Sequence, residues 1–424
     1  MFIKFLVPLL LLVTISFAKP LVVYTGVYSV SEDKSLGNIK MFAPMFFEIF
    51  SKWQASNALP FDLILETDAE ETKHLAADPI SMAILVTRDD LQIEHFKRLG
   101  VTKTTQNLGF SVLFYQSRKT ENGTVNTILA ALPLNSYMSN EKPLSTSEKD
   151  PLSTSEKDPD RAVMTKKIAD ELIRNRFAKR VRKLGIDEIE IATECSEGEC
   201  RVKDFKKRGL EIGQSVTLNT EQGDFEAYIV DAKGTLEFEE NGAKELISSV
   251  GVGKGKASNL KGYSEETWQV VNVEITSKKA AKLFQNEPTQ AQIAQWYSDF
   301  LSETGKAVLP PISGLKWTQN SMGYTEMILA SADGDMEKFV MAPARYKVTL
   351  GFSGVANGVV KKNTIEEIWA YKIWLTNKTN NQKAKEEEFT TSKKVTIQSQ
   401  EHREIDVFRD LLHVSVKKLA GKGE

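Results

Sequence analysis

The sequence is poor in the residues and motifs on which most catalytic chemistry is built. Its 424 residues include four histidines, His74, His95, His402 and His413. None lies within metal-ligand spacing of another, so no zinc pattern can be assembled from them. No G-x-S-x-G stretch occurs that would raise a nucleophilic serine on a strand-to-helix turn. The glycine-rich run SSVGVGKGKASNLKG invites a phosphate-loop reading, but that loop needs a glycine where Val250 stands. Glycine at every second position also departs from the dinucleotide-binding fingerprint. The run therefore reads as a mobile basic loop, and no cofactor or metal is expected. Paired carboxylates carry no sequence signature, so a hydrolase built on them stays open as an alternative.

An excess of charge of one sign is also missing. Against 57 acidic side chains stand 55 basic ones, a formal net charge of −2. That balance argues against nucleic acid as a partner, because such binding rests on a surplus of lysine and arginine. Apolar runs long enough to span a bilayer are lacking too. The one near candidate is the start, MFIKFLVPLLLLVTISFAKP. Lys4 precedes a short apolar core that ends in Ser16-Phe17-Ala18, which reads as a signal peptide over residues 1–18 with cleavage after Ala18. The expectation is an exported protein, periplasmic or extracellular, and not transmembrane once cleaved.

Cysteine is scarce: Cys195 and Cys200, in TECSEGECRV, are the two the chain has. Four residues separate them, not the two of a redox motif, and no histidine lies nearby to complete a metal site. In an exported chain the pair reads as a disulfide closing a turn at Gly198.

What is present is organisation. The octapeptide PLSTSEKD occurs twice in immediate succession from Pro143. A polar, proline-bearing unit with one apolar residue cannot bury enough to order itself, and an exact copy marks a place that tolerates a change of length. Residues 140–160 are therefore expected to link two folding units. The expected class is α/β plus α+β. Residues 19–139 should form a small α/β domain with a mostly parallel sheet, from the apolar runs LVVYTG, FDLIL and MAILVT. Its helices would be MFAPMFFEIFSKWQAS, with Phe46, Phe50 and Trp53 on one side, and DDLQIEHFKRLG. FSVLFY and TVNTILAALPL should form a hairpin around residues 121–123. Residues 161–262 should form an α+β domain that opens on a basic helix and contains the cysteine turn. Residues 263–424 should form a second α+β domain, rich in tryptophan, in which RYKVTLGFSGVANGVV and EEIWAYKIWLTNKT pair as strands.

Three features could carry function. Glu66, Asp68, Asp89 and Asp90 would cluster at the carboxyl ends of parallel strands, where open α/β sheets bind ligands. Helix capping is the preferred reading of Asp68 and Asp89, because each precedes an expected helix start. Trp369 and Tyr371 share one face of a strand and could stack on a sugar or a partner. Nine basic residues from Arg161 to Lys183 could touch an anionic membrane surface, or could be balanced by the acidic stretch from Asp187 to Glu199. The leading expectation is a non-enzymatic envelope binding or assembly component whose partner is another envelope or surface protein. The alternative is a secreted hydrolase using paired carboxylates, acting on glycans.

Overall fold

The computed structural model describes residues 19–30, 36–56, 59–65, 80–96, 100–120, 123–143, 159–182, 184–196, 199–221, 223–238, 243, 252–261, 267–283, 289–312, 317–319, 324–362, 366–380, 385–398 and 404–419. The expected signal peptide, Glu66, Asp68, His74, His402 and most of the repeated octapeptide lie outside them. The chain is mixed α/β and sheet-rich, with three sheets.

The first sheet is built from β1 (Leu21–Val30), β2 (Asp62–Leu65), β3 (Ile80–Phe96), β4 (Val101–Thr120) and β5 (Gly123–Pro143). β1 runs parallel to β2 and β3, while β3, β4 and β5 form an antiparallel meander. The sheet is thus mixed and mainly antiparallel, which corrects the expectation of a mostly parallel one. The cause is DDLQIEHF. It continues β3 instead of forming a helix, because the long strand β4 offers it a complete ladder down to Phe96↔Val101. Tertiary pairing overrides a weak local propensity. The expected hairpin between β4 and β5 is present, with Thr120 opposite Gly123.

Helix α1 (Leu36–Gln54) lies on the outside of this sheet. Its aromatic stripe Phe42, Phe46, Phe50 and Trp53 is buried against Tyr24, Phe110 and Phe177. Phe177 belongs to a helical segment that begins as α2 (Pro159–Glu171), widens into a π-helical turn (Leu172–Phe177) and ends as α3 (Ala178–Val181). Ile168, Leu172, Phe177 and Val181 join the core of the first sheet. This segment therefore packs on the first unit rather than with the cysteine-bearing one.

The second sheet is wholly antiparallel. It contains β6 (Gly185–Ser196), β7 (Glu199–Val202), β8 (Ser215–Thr220), β9 (Gly223–Ile229), β10 (Leu236–Phe238) and β11 (Val252–Lys261), in the order β10-β9-β8-β11-β6-β7. A bridge from Arg201 to Thr235, with Val202 N–H bonded to the Gly234 carbonyl at 2.9 Å, brings the ends of the order together. Cys195 and Cys200 face each other across the β6–β7 hairpin as a disulfide, with a Cα–Cα separation of 4.1 Å. VGKGKASNLK, within the run expected as a mobile loop, is instead β11 at the centre of the sheet. Its glycine has a packing reason: a Cβ on Gly255 would fall 2.1 Å from the Thr217 carbonyl oxygen.

The third sheet takes β12 (Thr267–Ile275), β13 (Ala307–Val308), β17 (Tyr346–Lys362), β18 (Glu366–Asn380) and β19 (Lys385–Gln398), in the order β13-β12-β17-β18-β19. Between β12 and β13 come α4 (Lys278–Leu283) and α5 (Gln290–Glu303); α6 (Glu404–Leu419) closes the described chain. A capping box of Thr289 and Gln292 starts α5. Ile293, Tyr297 and Phe300 of α5 and Phe408, Leu411 and Leu412 of α6 share a core with Val270, Val348 and Leu350.

This third unit repeats the first. In each, a strand is followed by helix and then by a short parallel partner strand. A long strand next pairs parallel on the first strand's other side, followed by two antiparallel strands and a helix. The irregularities coincide as well. β1 and β3 make three register pairs, slip between Tyr24 and Gly26, and make four more. β12 and β17 make three, slip between Val270 and Asn272, and make four more. The next slip, toward the fourth strand, follows Val86 in one and Phe352 in the other, each the last residue of those pairs.

The repeats differ in the link between their second and third strands. In the second repeat it leaves its own sheet and forms β14 (Thr318–Gln319), β15 (Thr325–Ser331) and β16 (Met336–Met341). β16 pairs parallel to β5, and β15 pairs antiparallel to β1. The first sheet is thereby closed into a ring, β1-β3-β4-β5-β16-β15. Tyr28, Tyr115 and Phe339 meet edge to face, with ring centroids 5.1 and 5.2 Å apart. Tyr28 donates to Glu337 Oε1 at 3.0 Å, and the Tyr115 hydroxyl lies 2.7 Å from Thr25 Oγ1.

Candidate functional site

The acidic residues expected at strand ends do not form a ligand cluster among the described residues. Asp89 and Asp90 lie in the middle of the long β3. The Asp89 side chain is fully buried and accepts from Arg161 Nη2 and from Gln106 Nε2, both at 2.6 Å. Burial pushes the Asp89 pKa up, against the pull of Arg161. Asp90 pairs with Arg88 and receives a 3.4 Å contact from Gln292 of α5. These carboxylates tie α2 and α5 to β3. The capping reading of Asp89 does not hold, because no helix begins there. No group of three metal-ligating side chains occurs among the described residues.

The basic helix is also a structural device, and among the described residues its ion pairs are not with the Asp187–Glu199 stretch. Lys166 pairs with Glu48 of α1, Arg174 with Asp170, and Arg161 with Asp89. Arg176 and Arg180 reach across to α5 in the second repeat. Asp299 of α5 is fully buried, and its Oδ1 accepts from both guanidinium groups at 2.7 Å. Its Oδ2 accepts from the Asn135 backbone N–H at 3.1 Å and from Asn135 Nδ2 at 2.6 Å. The same arginines donate to β5: Arg180 to the Pro133 carbonyl at 2.6 Å, and Arg176 to that of Asn135 at 2.8 Å. Side chains thus satisfy backbone groups of β5 that no strand pairs there. The π turn keeps Leu172, Ile173 and Phe177 all buried just before Arg180.

A cleft of about 430 Å³ opens beside this joint. Asn175, Arg176, Lys179 and Arg180 line it from the first repeat, and Ser302, Glu303 and Lys306 from the second. Its one lining carboxylate is committed. Glu303 pairs with Arg176, and its Oε2 lies 2.8 Å from His413 Nε2 of α6. Partial burial pushes the Glu303 carboxyl up, but the His413 hydrogen bond and the charges of Arg176 and Arg180 outweigh it and hold the pKa at about 2. Such a group is permanently ionised near neutrality and a poor general acid or base. The arginines are answered by Asp299 and Glu303. Lys179 and Lys306 are not: neither forms an ion pair among the described residues, and Lys306 Nζ stands 4.3 Å over the Trp268 ring. Two positive charges from different repeats, neither in an ion pair among the described residues, therefore border one concavity, which suits it to an anion.

The aromatic pair Trp369 and Tyr371 lies on β18, opposite Val359 and Asn357 of β17. Their side chains are outside the described set, so the expected aromatic surface falls there too. Trp374 packs over Gly354, its register partner on β17, where an added Cβ would come within 2.8 Å of the indole. No described helix is long and apolar enough to cross a membrane.

Sequence reasoning placed the basic helix but missed Asp299, Glu303 and Lys306. The available signal was the acidic spacing in DFLSE, four residues apart on one helix face.

No family model matches the chain, and no curated protein does. Among solved structures, a minor lipoprotein from Acinetobacter baumannii is similar over 39% of this chain and 91% of its own, at 7% identity and a TM-score of 0.18. Overlap that slight carries no argument about fold or activity.

Proposed function

We propose that the protein is a non-enzymatic, exported envelope component, bacterial and periplasmic or surface-associated, that holds an acidic segment of a partner protein in the cleft between its repeats. The observation that carries this reading is the convergence of Lys179 and Lys306 on a cleft whose other charges are already paired. The Cys195–Cys200 disulfide supports export, since such bonds persist in oxidising compartments. A hydrolase of the paired-carboxylate kind finds no support at this cleft, where Glu303 has no second lining carboxylate to work with.

The test uses the mature chain and a fluorescent hexaglutamate peptide. Binding should weaken steeply with salt and be lost in Lys179→Ala/Lys306→Ala, whose thermal unfolding should match the parent. Absence of binding by the parent, or binding that survives both substitutions, sinks the proposal. Release of reducing ends from purified peptidoglycan, abolished by Glu303→Gln, would favour the hydrolase instead.

A further inference from the structure

The outer strands of the two repeats have different fates. β5 is covered along its free side: β16 pairs with Val125–Ile128, and the side chains of Arg176, Arg180 and Asp299 cap the backbone at Pro133 and Asn135. β19 occupies the same place in the order of the third sheet, and among the described residues it pairs with β18 alone. A strand edge of 14 residues presents a row of backbone donors and acceptors to whatever can lie beside it.

The sequence of β19, KEEEFTTSKKVTIQ, specifies what fits. Glu386, Glu387 and Glu388 precede its centre, and Lys393 and Lys394 follow it. A second β19 laid antiparallel, with a two-fold axis at Thr390, sets Glu386 opposite Lys394 and Glu387 opposite Lys393. Symmetry makes each pair twice. Phe389 then faces Thr391, Glu388 faces Ser392, and Thr390 faces its own symmetry mate. Parallel pairing in register would set glutamate on glutamate and lysine on lysine, which is unfavourable. Lysines on an edge commonly serve to repel other strands. Here the upstream glutamates answer them in one orientation only, the one that a closed two-fold dimer requires.

We infer that two copies of this chain associate through antiparallel β19–β19 pairing, joining their third sheets into one. This surface is separate from the cleft: Lys179 and Lys306 lie on other elements, so their substitution leaves dimerisation unchanged.

Sedimentation of the mature chain at tens of micromolar should show a dimer. Lys393→Glu/Lys394→Glu makes all four facing charged positions acidic, and Glu386→Lys/Glu387→Lys makes them basic. Each variant alone should be a monomer, its dimer weakened about a hundredfold or more by four reversed pairs. Mixed together they should form a heterodimer, a result that also shows both are folded. Thr390→Cys in both variants should then cross-link, because the described residues contain no free cysteine to compete. A monomeric parent overturns the inference. So does a dimer insensitive to either charge reversal, or a mixture that stays monomeric.

Discussion

The first repeat curls β1, β3, β4 and β5 into a ring by accepting β15 and β16, while the second keeps the same strand order as an open sheet covered by α5 and α6. Strand order and the positions of the slips are common to both. What differs is the link after the second strand. In the second repeat that link is long enough to cross to its neighbour and contribute two strands; in the first it spans only residues 66–79. Closure is therefore a property of the neighbour and not of the repeat. The cores follow suit. The first has aromatic layers on both sides of its strands, Tyr28, Tyr115 and Phe339 within and α1 outside, whereas the second is packed by its helices.

The comparison breaks most sharply if the donated strands are removed. Replacing residues 318–341 by a short Gly/Ser linker should abolish the cooperative unfolding of the first sheet, since Phe339, Met327 and Leu329 leave its core together. The third sheet's core includes none of those residues and should keep its protection in hydrogen exchange. Equal loss of protection in both would mean the repeats do not have separable cores.

A smaller but still large effect is expected at the joint. Asp299→Ala leaves the buried Arg180 and the Asn135 amide without their partner, which should cost about 3–5 kcal/mol in urea unfolding. A loss under about 1 kcal/mol would show that solvent replaces the carboxylate readily.

The mildest test is of pH. The Glu303 carboxyl is depressed in the folded state to about 2. A depressed acid contributes stability above its unfolded pKa and loses it as the pH falls through the folded value. The parent's unfolding temperature should therefore drop between roughly pH 5 and pH 2, and drop less in Glu303→Gln. Identical acid limbs would remove Glu303 from the joint's electrostatics.

Much of the local structure was legible. The aromatic stripe of α1, the inward Ile293, Trp296 and Phe300 of α5, the β4–β5 and β17–β18 hairpins and the disulfide all follow from periodicity, turn chemistry and cysteine spacing. Two misreadings share a cause. DDLQIEHF and VGKGKASNLK look unlike strands taken alone, and each is held extended by neighbours on the ladder. The duplication leaves little trace in the sequence because it lives in register and connectivity, with few matching residues: YTGVYS and VVNVEI occupy corresponding stretches of β1 and β12. The site was hidden for the same reason. Arg180 and Asp299 lie 119 residues apart, and local patterning carries no information about such a contact.

The ring of the first sheet also sets a timetable. Tyr28 and Glu337 are 309 residues apart, and β1, paired early with β2 and β3, waits until residues 325–331 are made for its antiparallel neighbour β15. Until then the newborn amino-terminal half carries an unclosed sheet with Tyr28 and Tyr115 uncovered on one side, a species prone to stick to its neighbours. Long-range closure of this kind is slow, because loop entropy must be overcome before any contact rewards it. Folding of the beginning of this protein is thus completed from near its end.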